Sequence, residues 1–162
     1  MRGMMCWERG MVTPMTSAQK INDERVLFTI GYGGRDPGQF VEALKDNGVK
    51  TVVDVRLRPD RAFLGVFARV GSSDNGIEKL LSSAGIGYLS IPELGNPYRE
   101  EEDWREPYKR LLSERRELLV ERLEGLAEPI CLLCAERDPA RCHRSIIADH
   151  LTEQGWTVTH IG

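Results

Sequence analysis

The sequence predicts an α/β fold of three layers, α/β/α, built on a mostly parallel sheet of about five strands. Three observations predict it. Five short runs rich in β-branched and aromatic residues are spread along the chain. Helical patterns with one apolar face stand between them. No long linker and no internal repeat breaks the alternation, and a chain that alternates strand with helix covers a parallel sheet on both faces.

Arg25–Gly31, RVLFTIG, reads as the first strand, ended by glycine. Asp36-Pro37 opens a helix with Phe40, Val41 and Leu44 on one face, and Asn47-Gly48 closes it. Thr51–Val55, TVVDV, is the second strand. Arg58–Asn75 has little periodicity and reads as an irregular excursion. Ile77, Leu80, Leu81 and Ala84 mark a short helix stopped at Gly85, and Ile86–Ile91 follows as the third strand. Pro92–Trp104 reads as loop. The longest helix is expected from about Pro107 to Leu126, with Tyr108, Leu111, Leu112, Leu118, Leu119, Leu123 and Leu126 as its apolar stripe. Its other face, from Arg110 to Arg122, alternates in charge and reads as solvated. Ile130–Cys134 is the fourth strand. Asp138 as N-cap and Pro139 at the first helical position start a last helix running to Gln154 and stopped at Gly155. Trp156–Ile161 is the fifth strand.

The 162 residues suit one domain with a real core, expected over residues 25–162. All five methionines lie in residues 1–15, as in an upstream start or an appended leader, so residues 1–24 are expected to be poorly ordered. Glu8, Arg9 and two glycines interrupt that stretch and leave no apolar core for a secretory signal. No later run is long enough to span a bilayer. A cytoplasmic chain with reduced thiols and no membrane partner is therefore expected. The formal net charge of −3 excludes a global basic field that would announce nucleic acid, although local patches remain open. Seventeen arginines against five lysines fit either a compositional bias or planar forks for phosphate and carboxylate.

Ligands of parallel sheets collect beyond the carboxyl ends of the strands. The residues that follow each strand are rich in chemistry. Tyr32 follows the first; Asp54 ends the second, with Arg56 and Arg58 beyond it. Asn96 and Tyr98 follow the third. After the fourth comes "CAERDPARCHR", carrying Cys134, Glu136, Arg141, Cys142, His143 and Arg144. If the sheet is parallel, all share one rim, with Arg56, Glu136, Cys134 and His143 in one pocket. Cys134, Glu136, Asp54 and His143 are the candidate catalytic groups. Arg56, Arg58, Tyr32, Asn96, Tyr98, Arg141, Cys142 and Arg144 are the candidate binding groups. Backbone N–H groups at Pro139–Cys142, at a helix start, would favour an anion beside Arg141 and Arg144. A thiol held there would be more reactive.

Other readings of these pieces are blander. Cys131-x-x-Cys134 with Cys142-His143 invites a zinc site. A strand alternates faces, so Cys131 and Cys134 should point to opposite sides, and neither a structural metal nor a cofactor is expected. Cys131 reads as a small core residue, and His150 as structural. The Gly31-Tyr32-Gly33-Gly34 turn does not complete the G-x-G-x-x-G fingerprint.

Thr29-Ile30-Gly31-Tyr32, Asp54-Val55-Arg56-x-x-Pro59, Gly85-Ile86-x-Tyr88, Glu93-Leu94-Gly95-Asn96, Cys134-Ala135-Glu136 and Cys142-His143-Arg144 occur in this order. Together they resemble the family catalogued as domain of unknown function 488, over about residues 26–162. The resemblance implies a three-layer α/β domain with these strand-end residues clustered, and it implies no reaction. Asp60-Arg61 stands where members often carry serine, and Asn96 where a second glycine is common. A fainter similarity is to rhodanese-like domains, but six residues separate Cys134 from Arg141 where that layout has five. Two functions are expected from these groups. One is an enzyme acting on a phosphorylated or nucleic-acid-derived substrate. The alternative is a non-catalytic module that binds a nucleotide or nucleic acid.

Overall fold

The computed structural model describes residues 24–162. The expectation for residues 1–24 concerns positions outside the described residues, apart from Glu24, which is exposed just before the first strand.

Five strands form one sheet: β1 (Arg25–Gly31), β2 (Thr51–Asp54), β3 (Gly87–Ser90), β4 (Ile130–Cys134) and β5 (Trp156–His160). The order is β3-β2-β4-β1-β5, and every neighbouring pair is parallel. The register sets Gly31 beside Cys134, and Asp54 beside Leu133 on one side and Ser90 on the other. The carboxyl ends of β1, β2 and β4 therefore stand side by side, with β4 in the middle.

β4 is buried at all five positions, and its side chains divide between two cores. Ile130 and Leu132 join Leu27, Val53, Tyr108, Leu119, Ile147 and Leu151 on one face. Cys131 and Leu133 join Ile30, Phe40, Val52, Ile77 and Leu81 on the other. Burial on both faces explains why these strands are apolar runs rather than alternating ones. Helices α1 (Pro37–Asp46) and α2 (Gly76–Ser83) cover the second face. Helices α3 (Arg105–Glu114), α4 (Arg116–Leu123) and α5 (Arg144–Glu153) cover the first. The result is the expected three-layer α/β/α arrangement. No helix among the described residues is long and apolar enough to cross a membrane.

Helix α1 starts as its sequence says. Asp36 accepts from the Gln39 backbone N–H at 2.8 Å, and Gln39 Oε1 accepts from the Asp36 N–H at 3.0 Å, closing a capping box.

Two helices depart from expectation. The long helix over Pro107–Leu126 is broken into α3 and α4 at Arg115, which has φ −108° and ψ 11°. The guanidinium of Arg115 donates to the carbonyl of Glu93, in the turn after β3, and this tertiary contact competes with helix continuity. The stripe carries the same signal: three and four residues after Leu112 stand Arg115 and Arg116, where a continuous face needs apolar side chains. The last helix does not start at Pro139. Asp138 and Pro139 begin a single 3-10 turn, Pro139–Arg141, and the chain is extended at Cys142 (φ −127°, ψ 143°) before α5 begins at Arg144.

Candidate functional site

An open cleft of about 1070 Å³ lies over the carboxyl ends of the strands. Of the residues expected on the rim, Tyr32, Arg56, Arg58, Asn96, Cys134, Glu136, Arg141, Cys142 and His143 line it. Asp54, Tyr98 and Arg144 do not. Arg61, Phe63, Arg99, Trp104 and Arg137 line it as well. Phe63 is 98% exposed and sits in the excursion after β2, whose lack of periodicity hid its position from the sequence.

The floor is a cluster of buried side chains. Cys134 ends β4 and is 8% exposed; Cys142 and His143 are buried beside it. Cys134 Sγ, Cys142 Sγ and a ring nitrogen of His143 all lie within 4.8 Å of one another. The extended backbone at Cys142 makes this possible, because a continuous helix from Pro139 would run through that position. His143 Nε2 lies 2.7 Å from the carbonyl oxygen of Val55, which can only accept, so Nε2 carries the proton and donates. Nδ1 then faces Cys142 Sγ at 3.7 Å. Tyr108 packs edge-on against the imidazole, with ring centres 5.1 Å apart, and donates its own hydroxyl to Leu94 O at 2.6 Å.

The Cys134 thiol is held well below its ordinary range. Its largest stabilisation is the hydrogen bond from the Cys142 thiol, and the Glu136 backbone adds to it, against the opposing effect of burial. Cys142 is pushed up, first because it donates to Cys134 and then by burial. Cys134 is thus the more acidic thiol of the pair. Cys131 is also pushed up, by burial, and belongs to the core of the opposite sheet face. The two cysteines of the C-x-x-C spacing therefore do not meet, and the one that joins Cys134 lies eight residues on.

Asp54 is fully buried beneath the cleft. It accepts from Arg56 at both carboxylate oxygens, at 2.8 and 2.7 Å, from the Arg56 backbone N–H at 3.1 Å, and from the Tyr88 hydroxyl at 2.5 Å. Asp54 holds Arg56 in place and does not itself line the cleft. Burial alone would lower the Arg56 pKa, but the bidentate pair with Asp54 raises it. Arg56 Nη1 has no partner among the described residues, and its guanidinium carbon lies 5.3 Å from the Tyr32 ring centre. Tyr32 in turn stacks on Phe67 at 4.6 Å.

Arg144 and the backbone at Pro139–Cys142 correct the sequence reading of an anion site. Arg144 is 0% exposed. Its guanidinium donates to Thr29 Oγ1 at 3.2 Å, to Arg137 O at 2.9 Å and to the carbonyl of Glu136. It ties the loop after β4 to β1 and offers nothing to a ligand. The loop N–H groups are also occupied: Ala140 donates to Asp138 Oδ1, Arg141 to Asp138 O and Cys142 to Pro139 O. A 3-10 turn whose N–H groups are satisfied internally has none left for an anion. Arg141, by contrast, is 77% exposed, and its nearest carboxylate, Asp138, is 4.0 Å away.

Tyr98 turns away from the rim. Its N–H donates to Asn96 Oδ1 at 2.9 Å and its ring packs on the core beneath α3. Gly31 lets the loop come close: a Cβ there would lie 1.9 Å from the carbonyl oxygen of Glu136.

The cleft is basic. Arg56, Arg58, Arg61, Arg99, Arg137 and Arg141 line it, against the single carboxylate of Glu136. Arg58 and Arg99 pair with Asp60 and Glu100 at exposed positions, where such pairs are weak.

A family model described as Domain of unknown function DUF488 matches residues 36–151. No curated protein and no solved structure matches the chain.

Proposed function

We propose that this chain, which belongs to the Domain of unknown function DUF488 family, is an enzyme that acts on a phosphorylated or nucleic-acid-derived substrate. Cys134 is the nucleophile in this reading. The observation that carries it is Cys134 Sγ at the floor of an arginine-lined cleft, within 4.8 Å of Cys142 Sγ and a ring nitrogen of His143, a setting that holds its thiol below the ordinary range. Arg137, Arg141 and Arg61 hold the negative charge, and the buried guanidinium of Arg56 adds fixed positive charge at the floor. Glu136, exposed at the mouth, serves as acid or base. Asp54 acts only through Arg56, as a positioning residue.

One observation favours a second reading, a nucleotide or nucleic-acid binding module. Phe63 and Trp104 line the same cleft as the arginines, and an aromatic face beside positive charge is what stacked bases use.

Alkylation kinetics and ligand-induced stabilisation separate the two. Iodoacetamide modification, mapped by mass spectrometry, should fall on Cys134 and spare Cys131. A 5′-mononucleotide should slow it and raise the unfolding temperature. Ligand at ten times its dissociation constant stabilises by about 1.4 kcal/mol. Both effects should weaken in Arg141→Ala. Turnover of phosphorylated and nucleotide substrates should vanish in Cys134→Ser while that stabilisation persists. If Cys134 is inert to alkylation, or Cys134→Ser keeps turnover, the enzyme reading falls.

A further inference from the structure

The three side chains on the cleft floor form a donor set that the C-x-x-C spacing does not signal. We infer that Cys134, Cys142 and His143 constitute a three-ligand site for a thiophilic divalent cation of the zinc class, with its fourth position open to the cleft.

Three observations carry this. The first is spacing. Zinc–sulfur and zinc–nitrogen bonds of about 2.3 and 2.0–2.1 Å place tetrahedral ligand atoms roughly 3.5–3.8 Å apart. Cys142 Sγ and His143 Nδ1 are already 3.7 Å apart, and all three ligand atoms fall within 4.8 Å. Small side-chain rotations complete the geometry. The second is the tautomer. Metal-bound imidazoles donate their other N–H to a carbonyl or carboxylate, which fixes the ring and leaves the ligating nitrogen bare. His143 Nε2–H donates to Val55 O at 2.7 Å, leaving Nδ1 toward the sulfurs. The third is the surroundings of the sulfurs. Cys142 Sγ accepts from the Arg144 backbone N–H at 3.5 Å. Backbone donors of this kind stabilise thiolates, which are the form a metal takes.

The site is buried on the protein side and faces the cleft on the other, because all three residues line it. That is the layout of a three-ligand centre with an open position rather than a closed structural one. Cys131, in the opposite core, is not part of it. For its consequence the inference rests on the nucleophile proposed above. A cation bound to Cys134 occupies the nucleophile, so the loaded protein is the latent form and removal of the metal releases it.

The experiment uses the full chain with Cys6 replaced by serine, so that a thiol outside the described residues does not contribute. Metal-free protein is titrated with Co²⁺ alone and with Cd²⁺ alone. The first is followed by the visible bands of tetrahedral cobalt, and the second by sulfur-to-cadmium charge transfer in the ultraviolet. One ion per chain is expected, displaced by Zn²⁺. Cys134→Ser and Cys142→Ser should abolish the bands, and Cys131→Ser should leave them intact. Because either serine variant could disturb folding, the unsubstituted cluster is tested too: Zn²⁺ should protect Cys134 and Cys142 together from iodoacetamide. Absence of the bands, their survival in Cys142→Ser, or their loss in Cys131→Ser overturns the site. The two readings fail separately. Alkylation of Cys134 in metal-free protein without any metal binding sinks the metal site alone. Metal binding with an inert metal-free Cys134 sinks the nucleophile alone.

Discussion

Replacing Arg144 by methionine should destabilise the protein without opening a ligand site. Arg144 is fully buried, and no carboxylate lies within ion-pair distance of it among the described residues. Its charge is met by Thr29 Oγ1 and the carbonyls of Glu136 and Arg137. Three hydrogen bonds from a charged donor, at about 1.5–3 kcal/mol each, amount to roughly 5–9 kcal/mol gross. Removing the charge also removes the desolvation cost of burying it, itself several kcal/mol on the order of the gain. Methionine has a similar length and leaves little cavity. The net loss should be roughly 3 kcal/mol, carried by orphaned carbonyls at the end of β4. At about 3 °C per kcal/mol for a domain of this size, the unfolding midpoint should drop by about 10 °C. Urea unfolding followed by circular dichroism and by tryptophan fluorescence measures it. The slope should not change, since the same surface is exposed. Arg141→Met is the control: an exposed side chain with one weak contact should shift stability by no more than about 0.5 kcal/mol. A loss below about 1 kcal/mol for Arg144→Met, or equal losses for the two variants, would refute the assignment of Arg144 as a clamp.

Asp54→Ala leaves the buried Arg56 guanidinium without its carboxylate and should cost about 3–5 kcal/mol in urea unfolding, whereas a double Asp54→Ala, Arg56→Met variant should recover part of it. His160 should make the fold acid-sensitive. Burial first, and then the charge of Arg144, lower its pKa in the folded state. The geometry agrees: Thr29 Oγ1 accepts from Arg144 Nε and lies 2.6 Å from His160 Nδ1, a contact that suits an accepting Nδ1. Its contribution is complete above the unfolded value of about 6.5 and is lost as pH falls through the lower folded value. Comparing stabilities at about pH 7.5 and pH 5.5 should show this slope, and His160→Gln should flatten it. Gly31→Ala should cost more than about 2 kcal/mol and slow alkylation of Cys134, since its Cβ would meet the Glu136 carbonyl at 1.9 Å. Gly65→Ala, with open space at the Cβ position, should be near neutral.

The local part of the architecture was legible in the sequence. Strands β1 to β5 could be read because each is a short run with β-branched, aromatic or aliphatic residues bounded by glycine, proline or charged residues, and those are properties of neighbouring residues. The rim followed from the strands: once they are parallel, Arg56 and Cys134 must share an end. What stayed hidden depends on contacts between distant segments. The gap in the apolar stripe at Arg115 and Arg116 hints at the helix break, but that the Arg115 side chain reaches Glu93 O, 22 residues away, is not in the local pattern. Cys142 leaves helical geometry in the structure that gathers it with Cys134 and His143. Arg141 and Arg144 are indistinguishable as letters three positions apart, yet one stands in solvent and the other is enclosed by β1 and the loop after β4. Sequence periodicity says which face of an element is apolar, and so it determined the layers and the end of the sheet where chemistry collects. Which polar groups are spent on the fold and which remain for a ligand was decided only by packing. A buried donor must find its acceptor wherever the folded chain puts one, and that position lies outside the reach of any local pattern.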